Sequence, residues 1–337
     1  MSWLLRRWYS DQPPPCWLLP LERFFTAAAQ RRKRKLLASQ WHAPVPLIVV
    51  GNISVGGTGK TPLVLYLCEQ LALAGWKPGI ISRGYKSEAT TFPFQIEPST
   101  PVSLAGDEPA LLAQRSGCPV VIAPDRVAAA QYLLQHNDCD LIISDDGMQH
   151  YALGRDLEIA VLDGKRGLGN LHCLPAGPLR EPVERLSQVD FVVVNGRPER
   201  LGPALTEHAD QMALKPLRFC SLDGSQQKTL DAFSGQIVHA LAGIGHPERF
   251  FQLLRDELQL QPECHAFPDH HSFAPQELQF DPEGVVLMTE KDAVKLRGSE
   301  LKNSWYLEVS AQLPDNFIPR LLEQLDRVKN KGESHHG

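Results

Sequence analysis

The chain of 337 residues contains no run of 18 or more apolar residues, so a conventional transmembrane helix is not expected. Its start lacks the short basic region, apolar core and small-residue cleavage site of a secretory signal, and export is not expected. The 7 cysteines are scattered, odd in number and without a C-x-x-C pair, which fits a reducing, cytosol-facing compartment better than a disulfide framework. Net charge is also small. With 34 Lys and Arg against 39 Asp and Glu, the formal charge is -5, giving no global pull toward nucleic acid, so an anionic partner must be met by a local basic patch. No internal repeat is visible. What is present is a 43% hydrophobic content in a length sufficient for two domains, each with its own core.

One basic patch lies near the start. Between Pro13-Pro14-Pro15 and Pro44, the residues Leu18, Leu21, Phe24, Phe25 and Ala28 recur at spacings of three and four, the stripe of an amphipathic helix. Arg31-Arg32-Lys33-Arg34-Lys35 follows directly, and Trp3, Trp8 and Trp17 lie upstream. Apolar anchor, aromatic residues and cations together suit the surface of an anionic bilayer. A helix docked on its own domain with a solvated charged face is the plainer alternative. Five consecutive cations repel one another unless something negative offsets them, which favours the bilayer.

From Val45 to Asn52 the run V-P-L-I-V-V-G-N reads as a buried strand, followed by a helical pattern from Thr61 to Ala74 closed by Gly75. Further strands are expected at Pro78 to Ser82, Val120 to Ala123, Leu141 to Ser144, Leu157 to Leu162 and Phe191 to Asn195, with a helix-length segment from Asp125 to Gln135. The alternation predicts an α/β fold with a mostly parallel sheet and helices on both faces. After about residue 210 the pattern restarts. Strands are expected at Ile237 to Ala242, Val285 to Thr289 and Trp305 to Val309, with helices at Pro247 to Leu258 and Lys291 to Leu296. The expected organisation is a membrane-associating segment (1–40), a phosphate-binding domain (41–210) and a second, smaller α/β domain (211–328). A closing helix from Asn316 to Val328 precedes a disordered tail (329–337).

Ser54-Val55-Gly56-Gly57-Thr58-Gly59-Lys60-Thr61 carries the chemistry. A glycine-rich turn lets successive backbone N–H groups converge on phosphate oxygens that side chains would hold away. Lys60 suits the β- and γ-phosphates, Thr61 offers its hydroxyl to Mg²⁺, and the following helix adds its positive end. Pro62 suits a first helical turn. The usual pattern starts with Gly, and Ser54 departs from it. The second half of such a site is an acidic residue ending another buried strand, and Leu141-Ile142-Ile143-Ser144-Asp145-Asp146-Gly147 supplies two. Neighbouring residues at a strand end point oppositely, so one faces the metal and the other a neighbouring loop or a water of its shell. The bland reading is a pair of turn carboxylates.

Guanine-specific proteins carry an Asn-Lys-x-Asp-type motif, and neither Val194-Asn195-Gly196-Arg197 nor Thr289-Glu290-Lys291-Asp292 has its spacing, which favours ATP. Gly106-Asp107-Glu108-Pro109 opens a helix, where Asp107 is either a base for an attacking hydroxyl or an N-cap. In Phe267-Pro268-Asp269-His270-His271-Ser272-Phe273, two histidines beside an aspartate could bind zinc, with Cys264 and His265 nearby. No second ligand pair has the expected spacing, so a histidine that orients a carboxylate or relays its proton is favoured.

In order, G-N-I-S-V-G-G-T-G-K-T-P, S-R-G-Y at Ser82 to Tyr85, G-D-E-P, P-D-R at Pro124 to Arg126, S-D-D-G-M-Q-H, L-P-A-G-P-L-R-E, F-P-D-H-H and M-T-E-K-D-A-V-K closely resemble the tetraacyldisaccharide 4'-kinase family, over about residues 15 to 325. The resemblance implies transfer of the ATP γ-phosphate to the 4'-hydroxyl of a tetraacylated glucosamine disaccharide 1-phosphate, giving lipid IVA in lipid A biosynthesis. It implies peripheral or monotopic attachment at the cytoplasmic face of the bacterial inner membrane, whose anionic surface is then a partner, and two α/β domains around a cleft. Asp107 becomes the base and His270 its partner. Arg180 would neutralise the phosphoryl group or the acceptor phosphate, Arg126 suits another anion contact, either being otherwise a structural ion pair, and Glu108 would complete the magnesium shell. His150 has no assigned role. The rival from another class is a membrane-associated P-loop ATPase that hydrolyses ATP without a lipid acceptor.

Overall fold

The structure of the protein, a computed structural model, describes residues 3–10, 12–299 and 301–333. Its frame is one 13-stranded sheet. The first seven strands are β1 (Leu47–Gly51), β2 (Pro78–Ser82), β3 (Phe94–Ile96), β4 (Val120–Ile122), β5 (Leu141–Asp145), β6 (Leu157–Asp163) and β7 (Phe191–Asn195). A long β8 (Asp210–Ser221) leads to β9 (Gln227–Lys228), β10 (Val238–Ala242), β11 (Glu263–Ala266), β12 (Val285–Thr289) and β13 (Ser304–Gln312). Across the sheet the order is β11-β10-β12-β13-β8-β7-β6-β1-β5-β2-β4-β3, with β9 paired to β8. The helices are α1 (Trp3–Trp8), α2 (Leu19–Leu37), α3 (Lys60–Leu73), α4 (Val102–Ala105), α5 (Asp107–Arg115), α6 (Arg126–His136), α7 (Pro203–Thr206), α8 (Pro247–Asp256), α9 (Glu290–Leu296) and α10 (Phe317–Glu333).

The continuous apolar runs of β1, β2, β5 and β6 are buried along their whole length because both faces are covered. Alternate residues divide between the faces. Ile48 and Val50 meet Leu63, Leu67 and Leu71 of α3 with α5 and α10, whereas Leu47 and Val49 meet the α6 side with Ala129, Ala130 and Leu133. The second half repeats the scheme, with Phe250, Phe251 and Leu254 of α8 on Ala240, Val285 and Leu287. The opposite face of this half holds Leu241, Val286 and Met288 against Ala293 and Leu296 of α9.

Strand β8 joins the halves. Asp210, Gln211 and Met212 pair parallel with the carboxyl end of β7, after which β8 runs on and pairs antiparallel with β13. Since β12, β10 and β11 are parallel to β13, the carboxyl ends of the second half point back toward those of the first. The sequence did not reveal β8 because Pro216 interrupts it. That proline faces Val309, where the ladder shifts register after Glu308, one of the few strand positions that tolerates a residue without an N–H. Short β3 and polar β11 were likewise not expected.

Two expectations about the ends of the chain change. The closing helix runs to Glu333, so residues 329–333 of the expected disordered tail are helical, while residues 334–337 lie outside the described residues. The basic run Arg31-Arg32-Lys33-Arg34-Lys35 is part of α2 itself, and residues 1, 2 and 11 of the expected 1–40 segment lie outside the described residues. Among the described residues no helix is long and apolar enough to cross a membrane.

Helix α10 follows the second half in sequence but docks on the first, where Phe317 is fully buried and meets the Phe191 ring edge-on at 5.3 Å between centroids. Phe317→Ala should cost about 3–5 kcal/mol, the usual range for deleting a buried phenyl ring. Denaturant unfolding checks this, and a loss below about 1 kcal/mol would show that α10 adds little to that core.

Candidate active site

The sheet order reverses around β1, which has β5 and β2 on one side and β6 and β7 on the other. In open α/β sheets ligands bind outside the carboxyl ends of the strands at such a point. Here that point opens into a cleft of about 1600 Å³ lined from both halves of the sheet and by α2.

The first wall is the loop from Ser54 to Thr61. Gly56 and Gly59 take left-handed φ values of 102° and 95°, which glycine adopts without penalty. A Cβ at Gly59 would overlap the Asn195 amide, whose Nδ2 donates to the Thr58 carbonyl at 3.0 Å. Asn52 Nδ2 donates to Thr58 Oγ1 at 3.3 Å, and the Val55 N–H donates to Pro178 O at 2.9 Å. Ser54 itself forms an antiparallel bridge with Leu179. It is not among the left-handed positions, so the usual glycine is not required there. Lys60 opens α3, so the positive end of that helix faces the loop.

Asp145 and Asp146 end β5 in opposite environments. Asp145 is buried, its Oδ2 accepts from Ser82 Oγ at 3.2 Å, and its Oδ1 has no hydrogen-bond partner. Burial, and then the charge of Glu108, push its carboxyl up to about 7. Asp146 has φ of 50°, which turns it to Lys60 Nζ at 3.5 Å and Arg180 Nη1 at 3.2 Å. Burial opposes its ionisation, yet the charges of Lys60 and Arg180 outweigh that and hold it at about 2. A buried carboxylate with one orphaned oxygen is costly. The oxygen-only set of Asp145, Glu108 and the Thr61 hydroxyl, all on the cleft wall, fits Mg²⁺, which takes oxygen donors and keeps several waters.

The opposite wall follows β11 and β12. His270 Nδ1 lies 2.9 Å from Asp107 Oδ2. His270 lines the cleft, and Asp107, at the start of α5, backs it. Gly106 precedes Asp107 with φ of 83°, where a Cβ would press on the Tyr85 carbonyl, and the Tyr85 ring meets His270 edge-on at 5.4 Å. Burial pushes the Asp107 carboxyl up, but the His270 hydrogen bond with the charges of Lys295 and Lys291 prevails and holds it below the usual carboxylate range. Lys291 Nζ reaches Glu108 at 3.0 Å, Asp269 at 3.4 Å and His270 Nε2 at 3.4 Å. Against the cost of burial, Glu108 and Asp269 raise the Lys291 ammonium pKa further.

The structure thus brings Lys60, Thr61, Asp145, Asp146, Glu108, Arg180 and His270 to one cleft. Arg180 also donates to Gln149 Oε1 at 3.3 Å. Arg126 is buried, does not line the cleft, and donates from Nη1 to the Ala123 carbonyl at 2.8 Å, so it acts on Asp145 and Asp146 only through its charge. His150 lines the cleft, where burial and then Arg126 and Arg83 lower its pKa to about 4, which keeps it neutral. His271 turns away to Glu277 Oε2 at 2.9 Å. The sequence alone assigns no role to Lys291 or Asn195. Lys291 sits in the T-E-K-D segment, a strand-to-helix junction, which was its one available signal.

A family model described as Tetraacyldisaccharide-1-P 4'-kinase matches residues 15–326. The chain is 47% identical over 334 residues to the tetraacyldisaccharide 4'-kinase of Nitrosococcus oceani, covering 98% of this chain and 96% of the relative. It is 45% identical over 329 residues to that of Stutzerimonas stutzeri, covering 96% and 97%. Among solved structures, LpxK from Aquifex aeolicus in complex with ATP superimposes with a TM-score of 0.75 at 29% identity, covering 92% of this chain and 98% of that chain.

The two glycines of the loop separate shape from ligand contact. Gly59→Ala should lower both thermal stability and ATP affinity, because its Cβ meets Asn195 at a left-handed φ. A Cβ at Gly57 meets no protein atom, so Gly57→Ala should keep the melting temperature and lose only ATP affinity. Calorimetric unfolding with ATP titration distinguishes them, and wild-type ATP affinity in Gly57→Ala would remove that position from the phosphate contact.

Proposed function

The chain belongs to the tetraacyldisaccharide-1-P 4'-kinase family, and we infer that it transfers the γ-phosphate of ATP to the 4'-hydroxyl of tetraacyldisaccharide 1-phosphate, forming lipid IVA in lipid A biosynthesis. The observation that carries this reading is the meeting of two unlike walls. A Cβ at Gly245 would lie 3.4 Å from both the Gly57 N–H nitrogen of the phosphate loop and Asp269 Oδ2 of the histidine wall. A phosphate donor and a hydroxyl acceptor can therefore be held against each other.

In the mechanism we favour, backbone N–H groups of residues 54–61 and the α3 end hold the β- and γ-phosphates. Lys60 and Arg180 exchange Asp146 for phosphate oxygens, moving two cations onto the transferring group. Asp145, with Thr61, Asp146 and Glu108 around it, would hold Mg²⁺, which supplies neutralisation of the charge on the phosphate oxygens. Asp107 stays ionised at neutral pH, and His270, which lines the cleft, fixes its Oδ2; together they would orient the acceptor hydroxyl. A carboxylate of lowered pKa is a weak base. It suits a loose phosphoryl-transfer transition state, in which orienting the oxygen matters more than early proton removal. Lys291 ties Asp269 and His270 of the second half to Glu108 of α5 in the first, so the acceptor wall is joined across the two halves. The second half contributes Asp269, His270 and Lys291 to that wall, and α5 of the first half contributes Asp107 and Glu108; holding the reacting groups between them would exclude water that competes with the hydroxyl.

Helix α2 gives the acceptor its route. Glu22 accepts from the Cys173 N–H at 2.6 Å, and Lys33 sits 4.5 Å over the Tyr151 ring and 3.9 Å from Glu181. Leu18 and Phe25 take the docked edge, but the rest of the apolar stripe does not dock. Phe24 is 76% and Trp17 64% exposed, with Leu21 and Ala28 beside them. Exposed large apolar groups next to five cations match the interface of an anionic bilayer. Arg32 and Lys33 of the same helix line the cleft.

ATP consumption should require the tetraacyl acceptor and yield a bis-phosphorylated lipid, whereas equal turnover without acceptor would favour the ATPase reading. In that assay Asp107→Asn should lower kcat by about 10²–10⁴, the usual worth of general acid–base assistance, with the ATP dissociation constant unchanged. A wild-type kcat would remove Asp107 from the mechanism. Trp17→Ser with Phe24→Ser should release the protein from sedimenting phosphatidylglycerol vesicles while ATP binding persists, and undiminished co-sedimentation would assign lipid contact elsewhere.

A further inference from the structure

Outside the cleft, His239, Glu263 and His265 present ligand atoms that all lie within 4.8 Å of one another, and none of the three lines the cleft. Parallel pairing brings them together. His239 of β10 is the register partner of Glu263 of β11, and Leu241 that of His265. Residues 263 and 265 share a face of the strand, and His239 presents its ring on the same face. Linear spacing hides this arrangement, because one ligand comes from a strand 24 and 26 residues upstream of the other two.

His239 Nδ1 is 3.2 Å from His265 Nε2 and 3.6 Å from Glu263 Oε2. Donors bound to zinc at about 2.0–2.2 Å in a tetrahedron are spaced about 3.3–3.6 Å apart, so both separations are those of ligand edges. The tautomer is also set. His239 Nε2 lies 2.9 Å from the Pro282 carbonyl, which can only accept, so Nε2 carries the proton and the Nδ1 lone pair faces the cluster. Such an outer partner orients metal-binding histidines. Phe280 packs against both rings at 4.6 and 4.5 Å between centroids and fixes their planes. In the metal-free protein, His265 Nε2–H donates to His239 Nδ1, and a metal ion bound at His265 Nε2 would require that proton to shift to His265 Nδ1, leaving the ring neutral.

We propose that His239, Glu263 and His265 form a binding site for one Zn²⁺ ion, with water in the remaining position. Glu263, 62% exposed in its side chain, closes the third edge from solvent. The ion would pin the edge strand β11 to β10, immediately before the segment that carries Asp269 and His270.

The full-length protein, freed of metal by chelator, is titrated with Zn²⁺ calorimetrically and with Co²⁺ by absorption. One equivalent should bind, Co²⁺ should give the visible bands of a four-coordinate nitrogen and oxygen site, and saturating Zn²⁺ should raise the melting temperature. His265→Gln should weaken binding by more than the roughly 10–100-fold lost with an outer partner, while its kinase rate with Mg²⁺ and chelator stays at the wild-type value. No stoichiometric binding by the wild-type protein would overturn the site and leave only two hydrogen-bonded rings packed against Phe280. Undiminished binding by His265→Gln together with Glu263→Gln would equally overturn it, as would Co²⁺ bands carrying thiolate charge transfer.

Discussion

The reversal of strand direction at β8 is the constraint from which the cleft follows. β8 touches β7 over Asp210, Gln211 and Met212 only, at the carboxyl end of that strand, and then continues beyond the first half. Everything that pairs with it further on is antiparallel to it, so the parallel strands of the second half aim their carboxyl ends back at the first. Loops at carboxyl ends are where α/β sheets bind ligands. A single directional switch therefore sets two binding edges face to face, one built around Gly56 to Thr61 and one around Asp269, His270 and Lys291. Had β13 joined parallel to β8, those edges would lie at opposite ends of the molecule.

The local elements of this fold were legible because they depend on local rules. Buried strands such as Phe191 to Asn195 announce themselves by continuous apolar runs, and the phosphate loop by glycines at positions where φ is left-handed. What stayed hidden depends on pairing. β8 carries Pro216 and an irregular pattern that make sense only beside Val309. Lys291 looked like one charged residue in a short helix until Glu108, Asp269 and His270 were found around its Nζ. The twin aspartates were visible, but not their division of labour, which rests on the left-handed φ of Asp146 rather than on strand alternation. The Ser54 departure is explained in the same way, by a bridge to Leu179 about which the linear pattern is silent.

The charges of the cleft alternate. Asp146 is clamped between Lys60 and Arg180, Glu108 leans on Lys291, and Asp107 on His270. Among the described residues of the cleft, only Asp145 is buried with an orphaned oxygen and no bonded cation, and its carboxyl is pushed up to about 7. Neighbouring acids whose environments drive their pKa values apart carry different tasks. The split here separates a carboxylate waiting for a cation from one that holds two cations in reserve for phosphate.

Helix α2 is a wall of the cleft, through Arg32 and Lys33, and bears the exposed Phe24, with the exposed Trp17 in the turn just before it. With that outer edge seated in a bilayer, encounter with the acceptor becomes lateral diffusion in two dimensions. The quantity that governs saturation is then the mole fraction of acceptor among the surrounding lipids, and adding inert lipid at constant total acceptor would slow the enzyme by surface dilution, although nothing in the bulk solution had changed.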